Sequence, residues 1–147
     1  MLKKLIIAMS ILLSFGSVRA QVKEFTLTDE WIQKIEQLAP AKAEVQPKKH
    51  HKILVFSLFT GYNHWVIPHT NAIIKVLGEK TGAYETEVST DIFRFEKENL
   101  KQYDAVVLNS TCSAGPRRDL LMDVLDKDPS LSAEQKNKKA AELEANL

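Results

Sequence analysis

The stretch Lys52–Phe59, KILVFSLF, constrains the fold more than any other. It is a continuous apolar run with no polar alternation, the pattern of a strand covered on both faces. A glycine follows at Gly61, and then TGYNHW, a loop rich in chemistry-bearing side chains. Pro68 suits the first turn of a helix, whose buried side is formed by Ala72, Ile73, Val76 and Leu77 and which ends at Gly82. YETEVST alternates and is more polar, so it reads as a strand nearer an edge. YDAVVLNST supplies a third strand centred on Ala105, Val106, Val107 and Leu108. The segment DIFRFEKENLKQ is the partly irregular crossover between the last two. Strand, helix, strand, strand with crossovers of this length makes a parallel sheet, and the fold class is α/β.

Upstream, Thr28 to Leu38 reads as a short helix. Thr28 caps it, Asp29 and Glu30 suit its positive end, and Trp31, Ile32, Ile35 and Leu38 form one stripe. It has no hydrophobic partner of its own and is expected to dock on the domain that follows a charged linker bracketed by Pro40 and Pro47. Downstream, two helices are expected, Arg117 to Asp126 and Ser132 to the end, the latter opened by the capping box SAEQ. A sheet buried on both faces wants more than three strands. The chain therefore reads as the first half of a domain. Three parts are expected: a leader over 1–20, an amphipathic helix with its linker over 21–50, and an α/β domain over 51–147.

The leader has Lys3 and Lys4 at its start, the apolar core LIIAMSILLSFG, too short to span a bilayer, and small residues at Val18 and Ala20. Cleavage after Ala20 predicts a periplasmic or secreted protein with no membrane span remaining. Losing Lys3, Lys4 and Arg19 turns the formal charge of the chain from +1 to −2. That is not the electrostatic footprint of a nucleic-acid binder. KKHHK, Lys48 to Lys52, reads as a solvated approach to the first strand. The one cysteine, Cys112, permits no internal disulfide.

A strand order of 2-1-3 would make strands one and three neighbours with their helices on opposite faces. Ligands bind at such a switch point, outside the carboxyl ends of the strands. This order brings Thr60, Gly61, Asn63 and His64 towards Asn109, Ser110, Thr111 and Cys112, with Asp91 on the same rim. One glycine among bulky residues is a poor phosphate cradle, so no flavin or other cofactor is expected. His64 and His69 are not a metal pair: five residues apart, they diverge by about 140° on a helix, and Pro68 intervenes. Cys112 with His64 could form a nucleophile pair, but a small semi-buried cysteine is the better reading. His64 is the best-placed acid/base or donor, set against a loop histidine packed on Trp65. Trp65 is either a sugar platform or, more simply, core between helix and loop. Asp91 is either a rim acceptor or a cap.

KILVFSLFTGYNHWVIPHTNAIIKVLGEKTGAYETEVSTD followed by LKQYDAVVLNST resembles the amino-terminal half of a trehalose-utilisation (ThuA-like) domain, over about Lys52 to Leu125. The features that carry it are Gly61 and His64 after the first strand, YE-x-x-x-S-x-D ending in Asp91, and the YDAVVLNST strand. The resemblance implies a class I glutamine-amidotransferase-like, flavodoxin-like three-layer sandwich. Such domains occur in exported bacterial proteins that act on small carbohydrates, keto-sugar derivatives among them. His64 matches the family's loop histidine, and Asp91 and Asn109 match its polar rim. Topology and resemblance together give an expected site with His64 as catalyst or donor, Gly61, Asn63, Asp91, Asn109 and Thr111 around the sugar, and no metal. Nothing after Leu125 matches the glycine-rich, histidine-bearing turn in which the family continues. Cys112 replaces a small residue and is not the amidotransferase nucleophile. The expectation is thus half a site in a carbohydrate enzyme. The alternative is a non-catalytic carbohydrate-binding or interaction module.

Overall fold

A computed structural model describes residues 25–147. The leader over 1–20 lies outside the described residues, among which no helix is long and apolar enough to cross a membrane. The elements run α1 (Asp29–Leu38), β1 (Lys52–Phe56), α2 (Ile67–Thr81), β2 (Glu85–Ser89), a 3-10 turn (Ile92–Phe95), α3 (Lys97–Leu100), β3 (Ala105–Leu108), α4 (Leu120–Leu125) and α5 (Ala133–Glu144). The sheet is parallel throughout with order β2-β1-β3. This is the expected α/β arrangement, consistent with a flavodoxin-like sandwich.

β1 is central, and it alone of the three strands is buried on both faces: Leu54, Val55 and Phe56 are all but inaccessible. Leu54 and Phe56 face the larger core, with Ile92, Phe95, Leu121, Leu125 and Leu143, where Phe56 meets Phe95 edge-on at 4.6 Å between ring centres. The opposite face turns to α2, to which Ser57 Oγ donates a 2.9 Å hydrogen bond at Asn71 Oδ1. The flanking strands are edges and look it. Only half-buried or exposed residues make up β2 and β3, and Val88 and Leu108 are exposed.

The local signals perform as chemistry requires. Thr28 accepts from the Trp31 N–H at 3.2 Å, and Ser132 and Gln135 complete a reciprocal capping box. Pro68 sits in the first turn of α2, and Gly82 closes it with φ 65°. The helix expected over Arg117 to Asp126 is shorter. Arg118 adopts φ 53°, which breaks the helical path, and Asp119 becomes the cap by accepting from Met122 N–H at 3.0 Å. The last helix stops at Glu144. On α2, Ile67, His69, Val76 and Gly78 are the buried positions, with Ala72, Ile73 and Leu77 half-buried. α1 does dock, on α2: Lys80 Nζ donates to the carbonyls of Glu36 and, at 2.7 Å, Ala39, closing the C-terminal end of α1.

Asp104 fastens the start of the sheet. Its carboxylate accepts from Lys52 N–H at 3.0 Å and from Lys49, with His51 3.3 Å away. The Lys49 hydrogen bond, then the Lys52 N–H, hold its pKa down at about 2. A folded pKa below the ordinary 3.8 means that this contribution is complete above about pH 4 and fades as pH falls towards 2. Asp104→Asn is therefore expected to lower stability at pH 7 and flatten its loss between pH 4 and pH 2, read by urea unfolding across that range. Gly78 makes a second, purely steric test. A Cβ there would stand 2.5 Å from the Tyr84 carbonyl oxygen and 2.6 Å from its ring. Gly78→Ala is expected to destabilise by about 1–3 kcal/mol in the same assay.

Candidate functional site

The carboxyl ends of β1 and β3 deliver two loops to one place, as the strand order requires. The sheet continues past its last formal pair by an isolated parallel bridge between Phe59 and Cys112. The Cys112 carbonyl then accepts from Thr60 N–H at 2.9 Å and from Gly61 N–H at 3.3 Å. In return the Cys112 thiol donates to the Tyr62 carbonyl at 3.4 Å. Gly61 lies so close to this loop that a Cβ would be 3.2 Å from Cys112 Sγ and 3.3 Å from the Ser113 backbone. The glycine thus serves close approach of two backbones rather than an anion cradle.

The group that organises both loops is Asp123, in the first turn of α4. Its carboxylate accepts from Thr60 Oγ1, from Ser113 Oγ at 2.6 Å and from Gly115 N–H at 3.2 Å. Thr60 Oγ1 in turn accepts from Ala114 N–H at 3.2 Å. The Ser113 and Thr60 hydroxyls, in that order, hold the Asp123 carboxyl below the usual carboxylate range. No motif marks this residue in the sequence. The usable signal is weak: a carboxylate in a helix's first turn, with hydroxyls in both loops that the topology joins.

The expected residues meet different environments. Tyr62, Asn63 and His64 are exposed on the tip of the first loop, where the His64 ring meets Tyr62 edge-on at 4.6 Å. Tyr62, not Trp65, is thus the neighbour of His64. Asn109 is buried, and its amide donates to the Ile67 carbonyl at 3.2 Å and to Asn71 Oδ1 at 2.7 Å. It ties the end of β3 to the start of α2, and both of those contacts are internal. Asp91 acts as a cap, accepting from Phe93 N–H at 2.9 Å, while its own N–H donates to Ser89 Oγ. Thr111 is half-buried in the second loop, following Ser110, whose φ of 55° turns the chain sharply after β3. Trp65 packs inward against Phe25 and His69, at 5.6 and 5.5 Å between ring centres, as the core reading expects. Among the described residues, no group of three or more histidine, cysteine or acidic side chains is placed to hold a metal.

What this arrangement can do chemically is present an aromatic ring, an amide and an imidazole together on a loop whose root is pinned. Asp123→Ala removes the acceptor shared by Thr60, Ser113 and Gly115, so hydrogen exchange at Gly115 and Thr60 should accelerate while β1 stays protected. In the native chain the same loosening should appear only as acid is added, below the carboxyl's ordinary range, because its folded pKa is depressed. Comparison with known protein families, characterised proteins and solved structures found no match for the chain.

Proposed function

We propose that this is an exported ThuA-like domain protein that binds a small carbohydrate at the carboxyl-terminal edge of its sheet. The observation that carries this is the exposed Tyr62–Asn63–His64 tip, with Tyr62 64% accessible, standing on a loop anchored to its neighbour through Cys112 and Asp123. A sugar has an apolar face that stacks on an aromatic ring and hydroxyls that pair with amide and imidazole groups. Both halves of that chemistry lie side by side here. The resemblance of Lys52 to Leu125 to the sugar-active family supports the same reading, as does the basic, then apolar, start of the chain for export.

Binding is better supported than turnover. A histidine acting as acid or base is usually oriented by a second group. Among the described residues, no hydrogen bond holds the His64 ring, and the group packed against it is the Tyr62 ring rather than a carboxylate or thiol. The non-catalytic module is therefore the favoured form of the proposal, and a keto-sugar enzyme the second.

Titration of the full chain with trehalose tests it. Saturable binding is expected, weakened on the order of tenfold by Tyr62→Ala and by His64→Ala, with His64→Gln restoring part of the loss. Unchanged affinity in both alanine variants, or no binding at all, overturns the reading. Sugar recovered intact after incubation supports the module; its His64-dependent conversion supports the enzyme.

A further inference from the structure

On the α1 side of the molecule lies a second concave site that owes nothing to the loop tip. It has a volume of about 590 Å³, within the range of small-molecule sites, and its walls include Phe25, Trp31, Trp65, Val66 and Ile73. Among the described residues that line it, none is an acid, lysine or arginine. His69, in the first turn of α2, also lines it and is only 4% accessible. The imidazole is wedged between two indoles, edge-on to Trp31 at 4.9 Å and to Trp65 at 5.5 Å.

The hydrogen bonding of His69 defines what the site can accept. Nδ1 lies 3.2 Å from the Trp65 carbonyl oxygen, which can only accept, so Nδ1 carries the hydrogen. In the neutral ring Nε2 is then left with a lone pair and no hydrogen. Among the described residues, that buried nitrogen has no hydrogen-bond partner. A buried acceptor without a donor costs stability, and a ligand that supplies the donor recovers it. Nε2 is screened from solvent, so a ligand reaches it only when a neighbouring side chain shifts aside. Trp31 is the nearer indole, at 4.9 Å, and it rides on α1, no residue of which is buried.

We propose that this cavity binds a compact, uncharged ring bearing a single hydroxyl, whose O–H donates to His69 Nε2 while the ring packs against Trp31 and Trp65. The aromatic and aliphatic walls select the ring, the described lining offers no fixed charge to hold an ion, and the tautomer selects a donor over an acceptor.

Cyclohexanol and cyclohexyl methyl ether form a matched pair of probes, since the ether keeps the ring and oxygen but cannot donate. The chain has two tryptophans, Trp31 and Trp65, and both line the cavity, so its intrinsic fluorescence reports occupancy directly. In the full chain, cyclohexanol is expected to bind on the order of tenfold more tightly than the ether. His69→Phe should keep the shape, bind both, and erase the difference. Because that variant could perturb folding, the wild-type chain carries an independent readout: the acceptor-type ring nitrogen of His69 in nitrogen-15 spectra should move upfield with cyclohexanol and stay still with the ether. Equal affinity for the two probes, a preference that survives His69→Phe, an unmoved nitrogen resonance, or no response of the tryptophans to either probe overturns the proposal.

Discussion

Everything in this molecule hangs on a five-residue strand that must be dry on both sides. With Leu54, Val55 and Phe56 buried on alternating faces, β1 has to be flanked by strands along both edges and by helices above and below. Parallel neighbours can be supplied only through crossovers, and crossovers of one hand put β2 on one side and β3 on the other. The reversal of direction between those two connections opens the crevice from which the TGYNHW and NSTCSAG loops emerge. The site's position is therefore a consequence of hydrophobic burial before any functional side chain is considered.

Once the loops are there, polar chemistry holds them. A buried Asn109 spends its amide on the start of α2, and Asp123 gathers a threonine, a serine and a glycine N–H from two loops. Both residues keep backbone segments from different strands in fixed relation, leaving Tyr62, Asn63 and His64 outward. A loop that is firm at its root and exposed at its tip suits recognition, because less order has to be gained on binding. On the far side of α2 the logic is inverted. There an aromatic cluster packs around a histidine whose Nε2 receives no hydrogen bond from the described residues, beside a helix with no buried residue of its own.

Much of the framework was legible in the chain. The uninterrupted apolar run marked the central strand, Thr28, Pro68, Gly82 and Ser132 marked helix ends, and the alternation in YETEVST marked an edge. These signals are local: each rests on a residue's own backbone preference or on the polarity of its near neighbours. What the chain did not show concerns mainly residues whose partners are far away in sequence. Asn109 was read as part of the polar rim, and the reach of its amide to Ile67 and Asn71, about forty residues upstream, was not legible. Asp123 passed unremarked because it reaches Thr60, 63 positions away. The helix after the second loop began late because Arg118 takes a left-handed turn, which nothing in its side chain favours.

The sequence by itself determined a parallel α/β sheet with its most covered strand at the centre, the ends of its main helices, and the two loops that had to meet. It could do so because hydrophobic patterning and capping act over a few residues. Only the tertiary structure decided which polar groups in those loops face solvent and which are consumed in holding the chain together. It also decided that Tyr62, rather than Trp65, lies beside His64, and that His69 is sealed between Trp31 and Trp65. Such outcomes depend on which donors and acceptors are brought within about 3 Å of one another. That distance is set by how whole elements pack, not by any residue's own preference.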